Sequence, residues 1–336
     1  MRILDAHTHL SGSEFGESPE GILETLDALH IDKAFIFAPL LDVRSWLLND
    51  THLEDIRTHN DYCANLASVA PDRLLGFCVL DPSPALAEGN KARAVDLMRD
   101  EVKRCYDDLG LRGIKMVPHG WYPDDAELVA LYQTIAELGM YVVFHAGIFL
   151  DGREGRYCRP AFYEGVHQVP EMHAQLAHVG WPWVDECLAV LAQETLFEGN
   201  DPSRWQLRAD LSFGPPEVWQ LETWQKALAG LPHQMIGYAS DIFWPGPPDR
   251  YDNQYLRPQL GLFETAATTE HIAEEGSPQR IELRQHIFYD NIWNHWQGAV
   301  REAQQPLAAK RTITTPRAKG GRPGKHGQPV QASPRA

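Results

Sequence analysis

The chain is 336 residues long, 43% hydrophobic, with a formal net charge of −16. That length suits a single β/α barrel of ~250 residues with insertions; with no apolar run near the ~18 residues of a membrane span and no secretory signal pattern, a soluble cytoplasmic protein with no membrane partner is expected. The charge is uneven, because residues 306–336 hold seven basic and no acidic side chains while the first 305 hold 23 basic against 46 acidic, so the body repels nucleic-acid phosphates.

The first stretch, Ile3-Leu4-Asp5-Ala6-His7-Thr8-His9, reads as a strand whose period of two turns both imidazoles to one side, half of a metal site. Ser18-Pro19-Glu20 then opens a helix with a hydroxyl cap and a proline at a tolerated first-turn position. Lys33 to Pro39 is an apolar run too short for a helix, as expected of a parallel strand buried on both faces. The alternation continues with a helix over His52–Ala70, a strand over Leu74–Leu80, one long helix over Ala85–Leu109 and a strand over Gly113–Pro118. Ala126–Gly139 is an amphipathic helix, and Met140–His145 is the most strand-like run. After a loop with a short helix from Gly147 to about Pro170 come strands at Gln175–His178, Gln206–Leu211 and Met235–Asp241, with helices over Trp183–Leu196 and Glu217–Leu228 between them.

Eight strand ends, near positions 9, 38, 80, 117, 145, 178, 211 and 241, follow one another at intervals of 28 to 42 residues. One strand and its returning helix need about 30 residues, so count and period point to a (βα)8 TIM barrel. Domain organisation follows: residues 1–305 form the barrel, and 306–336, with five prolines and four glycines, form a disordered basic tail unable to bury enough surface to order itself. The five cysteines are widely spaced with no CxxC pair and read as free thiols.

A barrel brings its strand C-termini to one mouth. His7, His9, Lys115, His145, His178 and Asp241 all stand at such ends, and burying so many ionisable groups without a shared cation would be costly. The loop after the fifth strand carries three arginines on an acidic body. Arg156 and Arg159 are its candidates for holding a substrate carboxylate through paired hydrogen bonds. Trp181, Trp183, Phe243 and Trp244 follow the sixth and eighth strands, where they either wall a pocket or pack its rim.

These residues carry a resemblance. Asp5-Ala6-His7-Thr8-His9, Gly113-Ile114-Lys115, Phe144-His145-Ala146-Gly147, Leu176-Ala177-His178-Val179-Gly180 and Ala239-Ser240-Asp241 resemble, in order and spacing, the amidohydrolase superfamily. The likeness is to its amidohydrolase-related branch, which includes aminocarboxymuconate-semialdehyde decarboxylase, and extends over about residues 1 to 300. It implies one divalent ion, zinc or alternatively manganese, held by His7, His9, His145 and Asp241 and lowering the pKa of a bound water. His178 would hydrogen-bond that water or polarise the substrate, and Asp241 would shuttle a proton. Lys115 matches a lysine that is carbamylated in two-metal members. The flanking motifs favour the one-metal form, in which the lysine pairs with an anionic substrate.

The expected function is a metal-dependent hydrolase cleaving a C–O or C–N bond of a small, carboxylated molecule. The alternatives are a metal-dependent non-oxidative decarboxylase with the same site and, from another class, an inactive metal-binding scaffold. The partner is a small-molecule substrate, with a homodimer left open.

Overall fold

A computed structural model describes residues 1–12, 16–40, 51–149, 152–212 and 214–303; the basic stretch 306–336 and the expected boundary before it lie outside them. Among the described residues nine strands form one sheet: β1 (Leu4–His9), β2 (Lys33–Phe37), β3 (Leu74–Leu80), β4 (Gly113–Met116), β5 (Tyr141–Phe144), β6 (Ala174–Leu176), β7 (Leu207–Asp210), β8 (Ile236–Gly237) and β9 (Ile242–Phe243). They run in spatial order 8-7-6-5-4-3-2-1-9, every pairing parallel. Only four residues separate β8 from β9, so the two ends of that order meet and the sheet closes into the expected barrel.

The helices between strands are α1 (Pro19–Ala28), α2 (Leu53–Ala67), α3 (Lys91–Asp107), α4 (Val129–Leu138), α5 (Val184–Phe197) and α6 (Glu217–Gly230). Beyond the barrel, α7 (Pro248–Tyr251) and α8 (Arg257–Thr269) are joined by a π turn at Asp252–Leu256, and α9 (Pro278–Gln285) and α10 (Asn291–Ala303) by another at His286–Asp290. Ser18 caps α1 as expected, its hydroxyl accepting from Gly21 N at 3.1 Å. Among the described residues no helix is long and apolar enough to cross a membrane, and all five cysteines are free and buried.

Three expectations are corrected. The single helix over Ala85–Leu109 is a 3-10 turn at Pro84–Ala87 followed by α3, because Glu88 and Gly89 take positive φ values of 53° and 88° and Asn90 caps a new start by accepting from Arg93 N at 3.0 Å. The short helix after the fifth strand is two 3-10 stretches, Gly155–Cys158 and Pro160–Gln168. The last strand, expected as one run over Met235–Asp241, is cut to β8 at Ile236–Gly237, after which Tyr238 N–H pairs with Ile287 O at 2.8 Å, and β9 begins only past the turn at Asp241, φ +64°.

Side-chain parity sorts the apolar residues into two layers. Ala34, Ile36, Cys78, Ile114 and Val142 pack outward against the helices, while Phe35, Phe37, Phe77, Tyr141 and Val143 fill the barrel interior. Gly113 belongs to that fill, since a Cβ there would lie 2.4 Å from the Phe77 ring. β1 carries a bulge: Asp5 pairs with Ala34 but Thr8 with Ile36, so β1 spends one residue more than β2 between them. A bulge re-aims side chains. Here it keeps Asp5 and Thr8 beside outward-facing partners and turns His7 and His9 inward, where both rings meet Phe37.

Candidate metal centre

The end of β1 and the turn before β9 bring three of the expected side chains together. His7 Nε2 lies 3.0 Å from His9 Nε2, and Asp241 Oδ1 lies 3.1 Å from the first and 3.2 Å from the second. Nitrogen and oxygen ligands at ~2.1 Å from one ion stand roughly 3.0–3.4 Å apart, so these three atoms have the spacing of a shared coordination sphere. Asp241 reaches the histidines through the turn that splits the last strand, its N–H donating to His7 O at 2.8 Å. The left-handed backbone at this residue is a local strain of the kind found at functional sites.

His145, from the end of β5, faces the same cavity. It stands outside the trio whose ligand atoms lie within 4.8 Å of one another. Its Nε2 is buried with no hydrogen-bond partner, as expected of a lone pair that awaits a cation. One face of its ring is covered by Phe149, stacked at 3.9 Å. Burial takes His9 down to about 3 and His145 well below the usual imidazole value, so both imidazoles are neutral at physiological pH. Burial pushes the Asp241 carboxyl up, but the neighbouring His7 and His178 outweigh it and hold it below the usual carboxylate range.

Asp210, at the end of β7, is the residue that sequence reasoning missed. Its Oδ2 lies 3.3 Å from His7 Nδ1 and accepts from Gln175 Nε2 at 2.6 Å; its Oδ1 accepts from His178 N at 3.0 Å and from Ser212 N at 3.1 Å. A carboxylate on Nδ1 fixes the proton there and leaves Nε2 of His7 bare toward His9 and Asp241, the arrangement that orients metal-bound histidines. His7, His178 and Asp210 also cluster within 4.8 Å. The oxygens of Asp210 are taken up by these donors, so it is placed to orient His7, and of the two clusters the His7, His9, Asp241 set is the one whose ligand atoms are left open to an ion. Asp210 stands at the catalytic end of an expected strand, and that position was the available signal.

His178 joins the site on a left-handed turn, φ 60° at His178 and 46° at Val179, its ring centroid 5.0 Å from His145 and 5.2 Å from His7. Burial brings it down to about 4, against the pull of Asp241. Lys115 Nζ lies 3.2 Å from His7 Nε2, and burial lowers it to about 8 against the pull of Asp241 and Asp210.

The cavity over these groups measures about 310 Å³. Trp181, Phe149 and Phe243 wall it, and His9, Lys115, His145, His178 and Asp241 lie along it together with Arg153. Arg156 and Arg159 are placed elsewhere. Arg156 is exposed and pairs with Glu154 at 3.0 Å, and Arg159 pairs with Glu186 at 2.5 Å on the outer surface. The arginine that enters is their loop neighbour Arg153, its guanidinium 4.3 Å over the Phe149 ring. Of the four expected aromatics, Trp181 and Phe243 line the cavity, whereas Trp244 is buried and donates to Thr8 Oγ1 at 3.0 Å.

A family model described as amidohydrolase matches residues 4–292. No curated protein matches the chain. Among solved structures, an uncharacterised TIM-barrel protein from Bordetella bronchiseptica is 15% identical, with 89% of this chain and 99% of that chain covered at a TM-score of 0.57. The 2,6-dihydroxybenzoate decarboxylase from Rhizobium is 14% identical, covering 88% and 98% at 0.57. A dihydroxybenzoic acid decarboxylase from Polaromonas, solved with manganese and the inhibitor 2-nitroresorcinol, is 13% identical, covering 88% and 96% at 0.56. At these identities the likeness is one of fold.

Proposed function

Because the chain belongs to the amidohydrolase family, matching it over residues 4–292, we propose that it is a metal-dependent enzyme that removes the carboxylate of a small hydroxylated aromatic acid as carbon dioxide. The observation that carries this reading is the lining of the cavity itself, where two cations, Lys115 and Arg153, share the wall with Phe149 and Phe243 and with His9 and Asp241 of the clustered trio. Aromatic faces suit a flat ring. The cations suit its carboxylate and hydroxyl oxygens.

His7, His9, His145 and Asp241 would hold one divalent ion, manganese or zinc, which when bound supplies Lewis-acid charge stabilisation to substrate oxygens. The chain's own groups do the rest. Lys115 and Arg153 hold the anionic oxygens, and Phe149 and Phe243 exclude water from the ring. As the carbon–carbon bond breaks, its electron pair stays on the ring carbon and a proton must reach that carbon. Asp241 Oδ1 faces the histidines, and Oδ2 would relay to that carbon a proton taken up from solvent, which replaces the departing carbon dioxide.

The hydrolytic reading, water cleaving a C–O or C–N bond, is second. It draws on His178, which burial keeps unprotonated and which can therefore take a proton from water. A panel of hydroxybenzoates and of lactones, esters and amides, offered to protein reloaded with manganese or zinc, separates the two. Release of carbon dioxide from an aromatic acid is the expected result. Turnover confined to the esters, lactones or amides would overturn the first reading in favour of the second.

A further inference from the structure

The sequence leaves His178 with two roles that exclude each other, accepting a proton from a reacting oxygen or donating a hydrogen bond to a carbonyl. A neutral imidazole does one or the other at a given nitrogen, according to its tautomer. We infer that Ser212 and Asp210 lock His178 in the form protonated at Nδ1, so that its bare Nε2 is the proton acceptor of the cavity.

Proton counting carries the inference. Ser212 Oγ lies 2.7 Å from His178 Nδ1 and also contacts Asp210 Oδ1. The hydroxyl has one proton to give. Asp210 has none, since its two oxygens take up the N–H groups of His178, Ser212, Gln175 and His7. If Ser212 gave its proton to His178, its oxygen would face the Asp210 oxygen at hydrogen-bond distance with no hydrogen between them. The consistent assignment is Nδ1–H of His178 donating to Ser212 Oγ and Ser212 O–H donating to Asp210 Oδ1.

Two further features hold the relay in register. His178 and Val179 adopt left-handed backbone, unusual for a residue with a Cβ and most of all for a branched one, and this turn presents His178 N–H to the same Asp210 oxygen. Gly214 closes the other side, where a Cβ would lie 2.5 Å from His178 Cβ. When Nε2 takes a proton from the reacting oxygen, whether of water or of a substrate hydroxyl, the positive charge formed on the ring is stabilised through Ser212 by the Asp210 carboxylate. Ser212 and Asp210 are positioning residues in this scheme, acting only through His178. The inference rests on the proposed reading of the cavity as the site of chemistry, but the tautomer can be read without a substrate.

The test is the nitrogen spectrum of zinc-loaded protein labelled with 15N at histidine, with His178 assigned by its loss in His178→Asn. The expected spectrum shows a neutral His178 protonated at Nδ1, preserved in Ser212→Thr and mixed between tautomers in Ser212→Ala. With a substrate, Ser212→Ala should lower kcat by about 10²-fold, the lower end of what a positioned base contributes, with KM and zinc content little changed, and Ser212→Thr should restore most of it. A wild-type His178 protonated at Nε2, or a Ser212→Ala variant with tautomer and kcat both unaltered, overturns the inference. Should Ser212→Ala fail to fold, the wild-type and Ser212→Thr spectra still decide. An Nδ1-protonated His178 in protein that turns over nothing counts against the proposed function and leaves this inference standing.

Discussion

Replacing Asp210 by asparagine takes one acceptor oxygen from a side chain that receives five hydrogen-bonding contacts, from His7 Nδ1, Gln175 Nε2, His178 N, Ser212 N and Ser212 Oγ. The remaining oxygen is best kept where three donors converge, beside His178 and Ser212, which points the new NH2 at Gln175 and at His7 Nδ1. Two donors then face each other, and His7 escapes by moving its proton to Nε2, the nitrogen 3.0 Å from His9 and 3.1 Å from Asp241. A protonated Nε2 cannot ligate. Loss of such an orienting partner typically costs 10–100-fold in metal affinity, or about 1.4–2.7 kcal/mol. Competition with a coloured chelator measures it directly for zinc. An Asp210→Asn protein that folds and binds zinc within about twofold of the parent would refute the assignment of Asp210 as the group that orders His7.

Further outcomes follow from the same geometry. Metal analysis of protein made with added bicarbonate should give about one divalent ion per chain, in keeping with a single set of zinc-type ligands; two would instead support a carbamylated Lys115. Because burial holds Lys115 at about 8 rather than its ordinary 10.5, the unfolded chain binds the extra proton between those values. The charged lysine therefore destabilises the fold below pH 8, and the penalty fades as pH rises toward 10.5. Metal-free Lys115→Met should accordingly be more stable than the parent at pH 7, by up to roughly 3 kcal/mol, with the gap closing by pH 10; a constant gap in denaturant titrations would contradict this. Arg153→Ala should raise KM for an aromatic acid by about 10-fold or more, the worth of one charge-assisted hydrogen bond, while Arg156→Ala and Arg159→Ala leave it nearly unchanged; equal effects from all three would remove Arg153 from the cavity wall. Gly214→Ala should lower turnover while retaining bound metal, since the added Cβ meets His178 rather than the ligand trio.

Most of the barrel is legible in the sequence because buried parallel strands are short apolar runs, and their spacing reports the helices between them. Lys33–Phe37 and Tyr141–Phe144 are such runs, and both are strands. The misread segments are those where single residues override a run. Glu88 and Gly89 break a long amphipathic stretch, and the eighth strand stops at Gly237 where Tyr238 N–H pairs with Ile287 O, a distant partner that composition does not encode. The ligand candidates were visible because HxH and the strand-end His and Asp carry their own chemistry. Arg153 could not be told from Arg156 and Arg159, since the three share a loop and only the fold decides which one turns inward. Asp210 and Ser212 were overlooked for a different reason: their importance lies in which nitrogen of a distant histidine they touch, and His7 lies 203 positions from Asp210.

The most direct measurement is anomalous diffraction from crystals of the manganese- or zinc-loaded protein. The expected result is a single peak bonded to His7 Nε2, His9, His145 and Asp241, with Asp210 on the far nitrogen of His7 and an open side toward Lys115 and Arg153. A peak bonded to Asp210 and His178 instead, or no ordered ion among these side chains at full loading, would contradict it.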